Sequence, residues 1–232
     1  MTHKRILGRS ALYAAAWLAI AAAASGSSAA APAPAAAWRA LFDGKLHDAF
    51  RGWHSEGMPD GWHVVDGALA KEGNVDDLVT KAEFGNFELE LEWKIGEAGN
   101  SGVFYRATRE YDQIYWSGPE YQLLDDKKAE DNKQASHLAG SLYDIIAPTK
   151  PSENPAGQWN HTVIRLKDGE LTFWLNGVQT VKTHLWDANW TDLVSKSKFK
   201  NWKGFAAFHK GHISLQDHGY HISFRNVKIR EL

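Results

Sequence analysis

The chain has 232 residues, with 26 basic and 28 acidic side chains, no cysteine and eleven tryptophans. Balanced charge, with no basic run outside the first residues, excludes a nucleic-acid footprint. The lack of cysteine excludes disulfides and cysteine-linked lipid, so the domain must rest on its hydrophobic core. Part of the tryptophan content is core, and exposed aromatic faces stack on sugar rings, so carbohydrate is the first ligand class to consider.

Residues 1–30 read as a signal peptide. Lys4, Arg5 and Arg9 form a positive start, Ala11 to Ala24 an apolar run, and small residues follow with several cleavage-like sites. The run is too short and Ala-rich for a membrane anchor, so none is expected after cleavage, and the mature protein is expected in the periplasm or secreted. Residues 31–37 are an Ala/Pro linker, and 38–232 form one domain.

That domain reads as short strands separated by Gly, Asn and Asp turns, with almost no helical period. Gly61 to Ala70 and Phe87 to Ile95 are examples. In the second, Glu88, Glu90 and Glu92 alternate with apolar residues and form a solvated face. In Gly99 to Arg106, alternation places Asn100, Phe104 and Arg106 on one face. In Gly118 to Asp126 it pairs Glu120 with Gln122. Asp125 to Gln134 is a charged loop, and Ala147 to Gly157 is a long irregular one. Val163 to Leu166 and Leu171 to Leu175 form a hairpin around Asp168-Gly169, and Asn176-Gly177 opens the next turn. Gly204 to Phe208 and His221 to Ile229 supply the last strands. Ten or more strands without helices indicate an all-β fold of two packed antiparallel sheets, a sandwich or jelly roll.

Two polar clusters stand out beyond Glu120 and Gln122. Gln216, Asp217 and His218 cannot all face a core, and Lys210 lies just upstream. Tyr143, in Gly140-Ser141-Leu142-Tyr143, either presents its hydroxyl to a ligand or is a core tyrosine. The remaining histidines show no metal-type spacing.

The segments Leu41-Phe42-Asp43-Gly44-Lys45, Asn100 to Arg106, Pro119-Glu120-Tyr121-Gln122, Gly140 to Tyr143, Trp159-Asn160, Trp174 to Gly177, Leu215 to Gly219 and Phe224 to Ile229 occur in this order. Together they resemble the bacterial 3-keto-disaccharide hydrolase domain family, over essentially the whole mature chain. The resemblance implies a concanavalin A-like jelly roll, export, and action on glycosides already oxidised at C3 of a sugar ring. It also implies a separate sugar oxidoreductase acting upstream. The charged loop Asp125 to Gln134 varies within the family, so the resemblance carries no substrate preference.

The chemistry separates two kinds of enzyme. A double-displacement glycosidase needs two carboxylates about 5 Å apart. The even positions after Glu120 are Gln122 and Leu124, and Asp125 has the wrong parity, so that mechanism is disfavoured. In a 3-keto sugar the ketone acidifies the C2 proton, so one positioned base can start an elimination at C1. On this reading Glu120 or His218 is the base and the other the acid, and Tyr143 is a further candidate acid. Arg106, Gln122 and Gln216 orient the sugar or polarise the ketone, Asp217 orients His218 or caps its turn, and Lys210 borders the site. No cofactor is required by the sequence, although a divalent metal could sit beside Glu120 and Asp217. The alternative from another class is a non-catalytic carbohydrate-binding module, in which the same groups only hydrogen-bond a glycan.

Overall fold

Thirteen strands form among the described residues, which are 1–2, 36–71 and 73–232 of the computed structural model. In chain order they are β1 (Arg39–Phe42), β2 (Phe50–Gly52), β3 (Trp62–Val65), β4 (Ala68–Lys71), β5 (Leu78–Thr80), β6 (Phe87–Ile95) and β7 (Asn100–Ala107). There follow β8 (Glu120–Leu124), β9 (Asn160–Lys167), β10 (Glu170–Leu175), β11 (Val178–His184), β12 (His212–Leu215) and β13 (Ile222–Glu231). The expected leader and all but the end of the linker lie outside the described residues.

The strands make two antiparallel sheets. The eight-stranded sheet runs β11-β10-β9-β6-β13-β4-β3, with β1 also paired to β13, and the five-stranded sheet runs β2-β5-β12-β7-β8. This is the jelly-roll sandwich that the strand count implies. Alternation builds its core: Phe87, Leu89, Leu91, Trp93 and Ile95 of β6 point inward and meet Val103 and Tyr105 of β7, Tyr121 and Leu123 of β8, and Ile213 and Leu215 of β12. The alternating glutamates of β6 point outward but are not simply solvated. Glu88 pairs with Arg230, Glu90 with His161 and Lys228, and Glu92 with Arg225.

Turn chemistry sets three hairpins. Asp66-Gly67, Asp168-Gly169 and Asn176-Gly177 all have positive φ at both positions, the type I′ geometry that matches strand twist. The first of these divides Gly61 to Ala70, read from sequence as one strand, into β3 and β4. Two further expectations differ. Gly204 to Phe208 is a series of turns rather than a strand, with Ala206 at φ 53°. One α-helix is present among the described residues, α1 (Ala188–Ser195), whose Trp190 N–H is capped by the Asp187 carboxylate at 2.7 Å. At eight residues it is too short to leave a clear period in the sequence.

Candidate active site

The outward face of the five-stranded sheet is not bare, and its polar residues form the floor of a cleft. Asn100 and Phe104 of β7 and Glu120 and Gln122 of β8 lie on that face, with Gly102 opposite Gln122 and Phe104 opposite Glu120. The turn after β12 adds Gln216, Asp217 and His218, and Asp77 stands just before β5. Loops raise the walls with Gln113 and Tyr115, with Asp131 and Tyr143, and with Lys198, Phe199 and Trp202. The cleft encloses about 620 Å³, enough for a sugar and part of what it carries.

Glu120 is the centre of this floor. Its side chain lies over Gly102, where a Cβ would overlap Glu120 Oε1, so the glycine is what gives the carboxyl its place. The backbone of β8 also seats Tyr143, whose N–H donates to the Glu120 carbonyl at 3.1 Å. Only 8% of Glu120 is exposed, and no hydrogen bond from the described residues reaches its carboxyl. Burial therefore pushes the group up to about 8; the Lys198 ammonium opposes this, while the Asp131 and Asp77 carboxylates add to it. Beside it, both polar atoms of the Gln122 amide and the Gln216 Oε1 are buried without a partner. Unpaired buried amides are costly, and both residues line the cleft.

The neighbours are held by second contacts. Tyr143 donates its hydroxyl to Asp131 Oδ2 at 2.8 Å, and burial with this bond raises its pKa. Its proton is thus committed to Asp131, which fits the phenol poorly as an acid toward a ligand. His137 lies between Asp131 (2.7 Å) and Asp144 (2.9 Å), and Asp144 accepts the Lys198 N–H at 2.7 Å. This chain of contacts places the Lys198 ammonium 4.1 Å from the centre of the Tyr143 ring. Asp217 is tied down by the buried Lys71 at 2.6 Å and accepts the Val75 and Gly219 N–H groups, so it caps its turn. Its own N–H donates to Asp77 at 2.6 Å. Burial nevertheless pushes Asp77 up to about 7.

Six of the eight residues expected at the site are therefore together: Glu120, Gln122, Tyr143, Gln216, Asp217 and His218. Arg106 is not among them. A bulge breaks the alternation of β7, because Phe104 pairs with Ser214 but Ala107 with His212, and Arg106 takes φ 53°. Its guanidinium instead donates to the Gly85 carbonyl at 2.9 Å and lies over the Trp186 ring. Lys210 is exposed and outside the cleft, since the turn Phe208 to Lys210 points away before β12 begins. The place of a cation beside Glu120 falls to Lys198. Sequence reasoning passed over Lys198, Asp77, Asp131 and Trp202. The mixed lysines and aromatics of Lys196 to Lys203, in a stretch without alternation, were the available signal.

Strand parity along β8 does not exclude a second carboxylate, because Asp77, Asp131 and Asp217 bring carboxylates to the cleft from other elements. With Asp217 on Lys71 and Asp131 on Tyr143, Asp77 and Glu120 remain. Burial pushes both upward, and Asp77 is further held by the Asp217 N–H. Among the described residues no three His, Asp or Glu side chains converge as metal ligands.

A family model matches residues 37–230, described as the 3-keto-alpha-glucoside-1,2-lyase-like domain. The chain belongs to that family. A relative named 3-keto-disaccharide hydrolase, from Bacteroides thetaiotaomicron, is 35% identical over 224 residues, covering 83% of this chain and 77% of the relative. The crystal structure of a candidate glycosyl hydrolase from Parabacteroides distasonis superposes with a TM-score of 0.78 at 30% identity, covering 84% of this chain and 94% of that one. The catalytic domain of an endo-1,3-beta-glucanase from Thermotoga petrophila shares the fold alone, with a TM-score of 0.53 at 11% identity, covering 85% and 97%.

Proposed function

We propose that this protein is an enzyme that cleaves 3-keto-glycosides by elimination and hydration, with Glu120 as the base. The observation that carries this is the Glu120 carboxyl on the cleft floor, buried, free of protein hydrogen bonds among the described residues, and flanked by unpartnered amide atoms of Gln122 and Gln216. The family, and the name of the relative from Bacteroides thetaiotaomicron, supply the substrate class.

In the first step Glu120 takes the C2 proton, and the electrons left at C2 delocalise onto the C3 oxygen as an enolate. Gln122, Gln216 and the Lys198 ammonium stabilise that charge. Collapse of the enolate forms the C1–C2 double bond and breaks the C1–O bond, with His218 at the rim giving a proton to the leaving oxygen. Water then adds its hydroxyl at C1 and a proton at C2, completing net hydrolysis. A carboxyl held near 8 is a stronger base, once ionised, than an ordinary glutamate, which suits a weakly acidic C–H. No cofactor enters these steps. If a divalent cation takes part, its ligands narrow to Glu120 and the Gln122 and Gln216 amide oxygens, because Asp217 is committed. The oxidation at C3 comes from a separate oxidoreductase, and residues 1–30 direct the protein out of the cytoplasm.

The test is incubation with 3-keto-glucosides and their unoxidised parents in deuterated water. Cleavage of the keto forms alone, with deuterium at C2, is expected. The rate should rise with pH as Glu120 ionises, with a limb near 8 that Glu120→Gln removes together with about 10²–10⁴ of the rate. Equal cleavage of the parents would mean an ordinary glycosidase, and saturable binding without cleavage would mean a carbohydrate-binding module. Full turnover retained in Glu120→Gln but lost in His218→Ala would exchange the roles of Glu120 and His218.

A further inference from the structure

One wall of the cleft continues into a second hollow. Trp202 lines both the cleft and an adjoining groove of about 290 Å³, whose other walls are Tyr111, Trp116, Lys203 and Gly204. Tyr115 bridges the two, with its ring centre 5.7 Å from that of Trp202 and 6.4 Å from that of Trp116. Tyr115 and Trp116 are 37% and 39% exposed, which leaves part of each ring open to a ligand.

The groove is built rather than accidental. Gly204 has no room for a side chain, because a Cβ there would come within 2.4 Å of the Tyr111 ring. The turn that carries Tyr115 and Trp116 is fastened to the turn that carries Trp202 by the Ala206 N–H, which donates to the Ser117 carbonyl at 2.9 Å. The Trp186 indole N–H donates to the Ala206 carbonyl at 2.7 Å and fixes the same turn from the other side.

We propose that this aromatic groove is the subsite for the leaving group, and that it selects leaving groups that carry a ring with an apolar face, aryl or hexosyl, over small alkyl groups. The proposal rests on the elimination reading, since it needs the reacting sugar over Glu120. The occupant follows from continuity: Trp202 lines both the cleft that would hold the reacting sugar and the groove of about 290 Å³, so a ring carried on C1 can extend from one into the other. A planar face against Trp116 and Tyr115 gains stacking that a methyl group does not, about five- to tenfold in binding per well-placed ring.

The experiment compares phenyl, hexosyl and methyl 3-keto-glucosides as substrates, and the unoxidised phenyl, hexosyl and methyl glucosides as ligands by calorimetry, in wild type, Trp116→Ala and Trp116→Phe. Expected is a preference for the phenyl or hexosyl compound over the methyl one. That ratio, in KM and in binding constant, should collapse by about five- to tenfold in Trp116→Ala and largely return in Trp116→Phe. Which ring shows the collapse identifies the leaving group as aryl or sugar. No preference in wild type, or a ratio unmoved by Trp116→Ala, overturns the subsite. Lack of turnover with every keto compound would instead refute the elimination reading, and the binding ratios would still decide the subsite.

Discussion

Glu120 owes its position to what Gly102 lacks. The glycine does not have positive φ, so an alanine there meets no backbone strain and collides only with the end of a flexible side chain. Gly102→Ala should therefore leave the melting temperature within a few degrees while displacing the carboxyl, and a shift of about 1 Å at a reacting group can cost about 10²-fold in rate. Kinetics beside a thermal melt separate the two effects. A loss of stability as large as the loss of rate would mean that the glycine serves packing rather than placement. At this scale the sequence was a fair guide for Glu120 and Gln122, since alternation within five residues suffices to put them on one face. It misled for Arg106 because a bulge depends on how the neighbouring strand pairs, and nothing in Tyr105-Arg106-Ala107 announces it.

At the scale of elements, the site depends on a tie between the two sheets. Lys71 ends β4 of the large sheet with 1% of its side chain exposed, and its ammonium meets Asp217 just beyond β12 of the small one. Removing one member of a buried pair leaves the other charge uncompensated, at a cost of about 3–5 kcal/mol. Lys71→Met should lose stability of that order in denaturant unfolding and loosen the turn that carries Gln216 and His218. The double variant with Asp217→Asn should recover part of it, and if it recovers none the pair is not coupled. Hairpins marked by Asp-Gly or Asn-Gly were legible because turn chemistry is local. The walls were not, because the loops that bring Asp131, Lys198 and Trp202 to the cleft are set by long-range contacts such as Asp144 with the Lys198 amide.

For the molecule as a whole, four carboxyls share an upward shift from burial, Asp126 among them. Burial pushes Glu120 and Glu153 up to about 8 and Asp77 up to about 7, from ordinary values of 4.5, 4.5 and 3.8. Between those limits the folded chain holds protons on these groups that the unfolded chain has released, so they lower stability as pH rises from about 5 to about 8, with the buried His212, held below its usual range, opposing them. Thermal melts across that interval should show a declining midpoint, with a shallower decline in Glu120→Gln. An unchanged midpoint would show that these groups ionise as freely as in the unfolded chain.

The position of β13 also fixes an order of events. This strand comes last in sequence yet lies in the middle of the large sheet, between β6 and β4, and holds β1 as well. Until residues 222–231 are available, β6 and β4 each present an open edge and the apolar faces they carry have no closed sheet to belong to. A growing chain therefore cannot complete its large sheet until this ten-residue strand emerges.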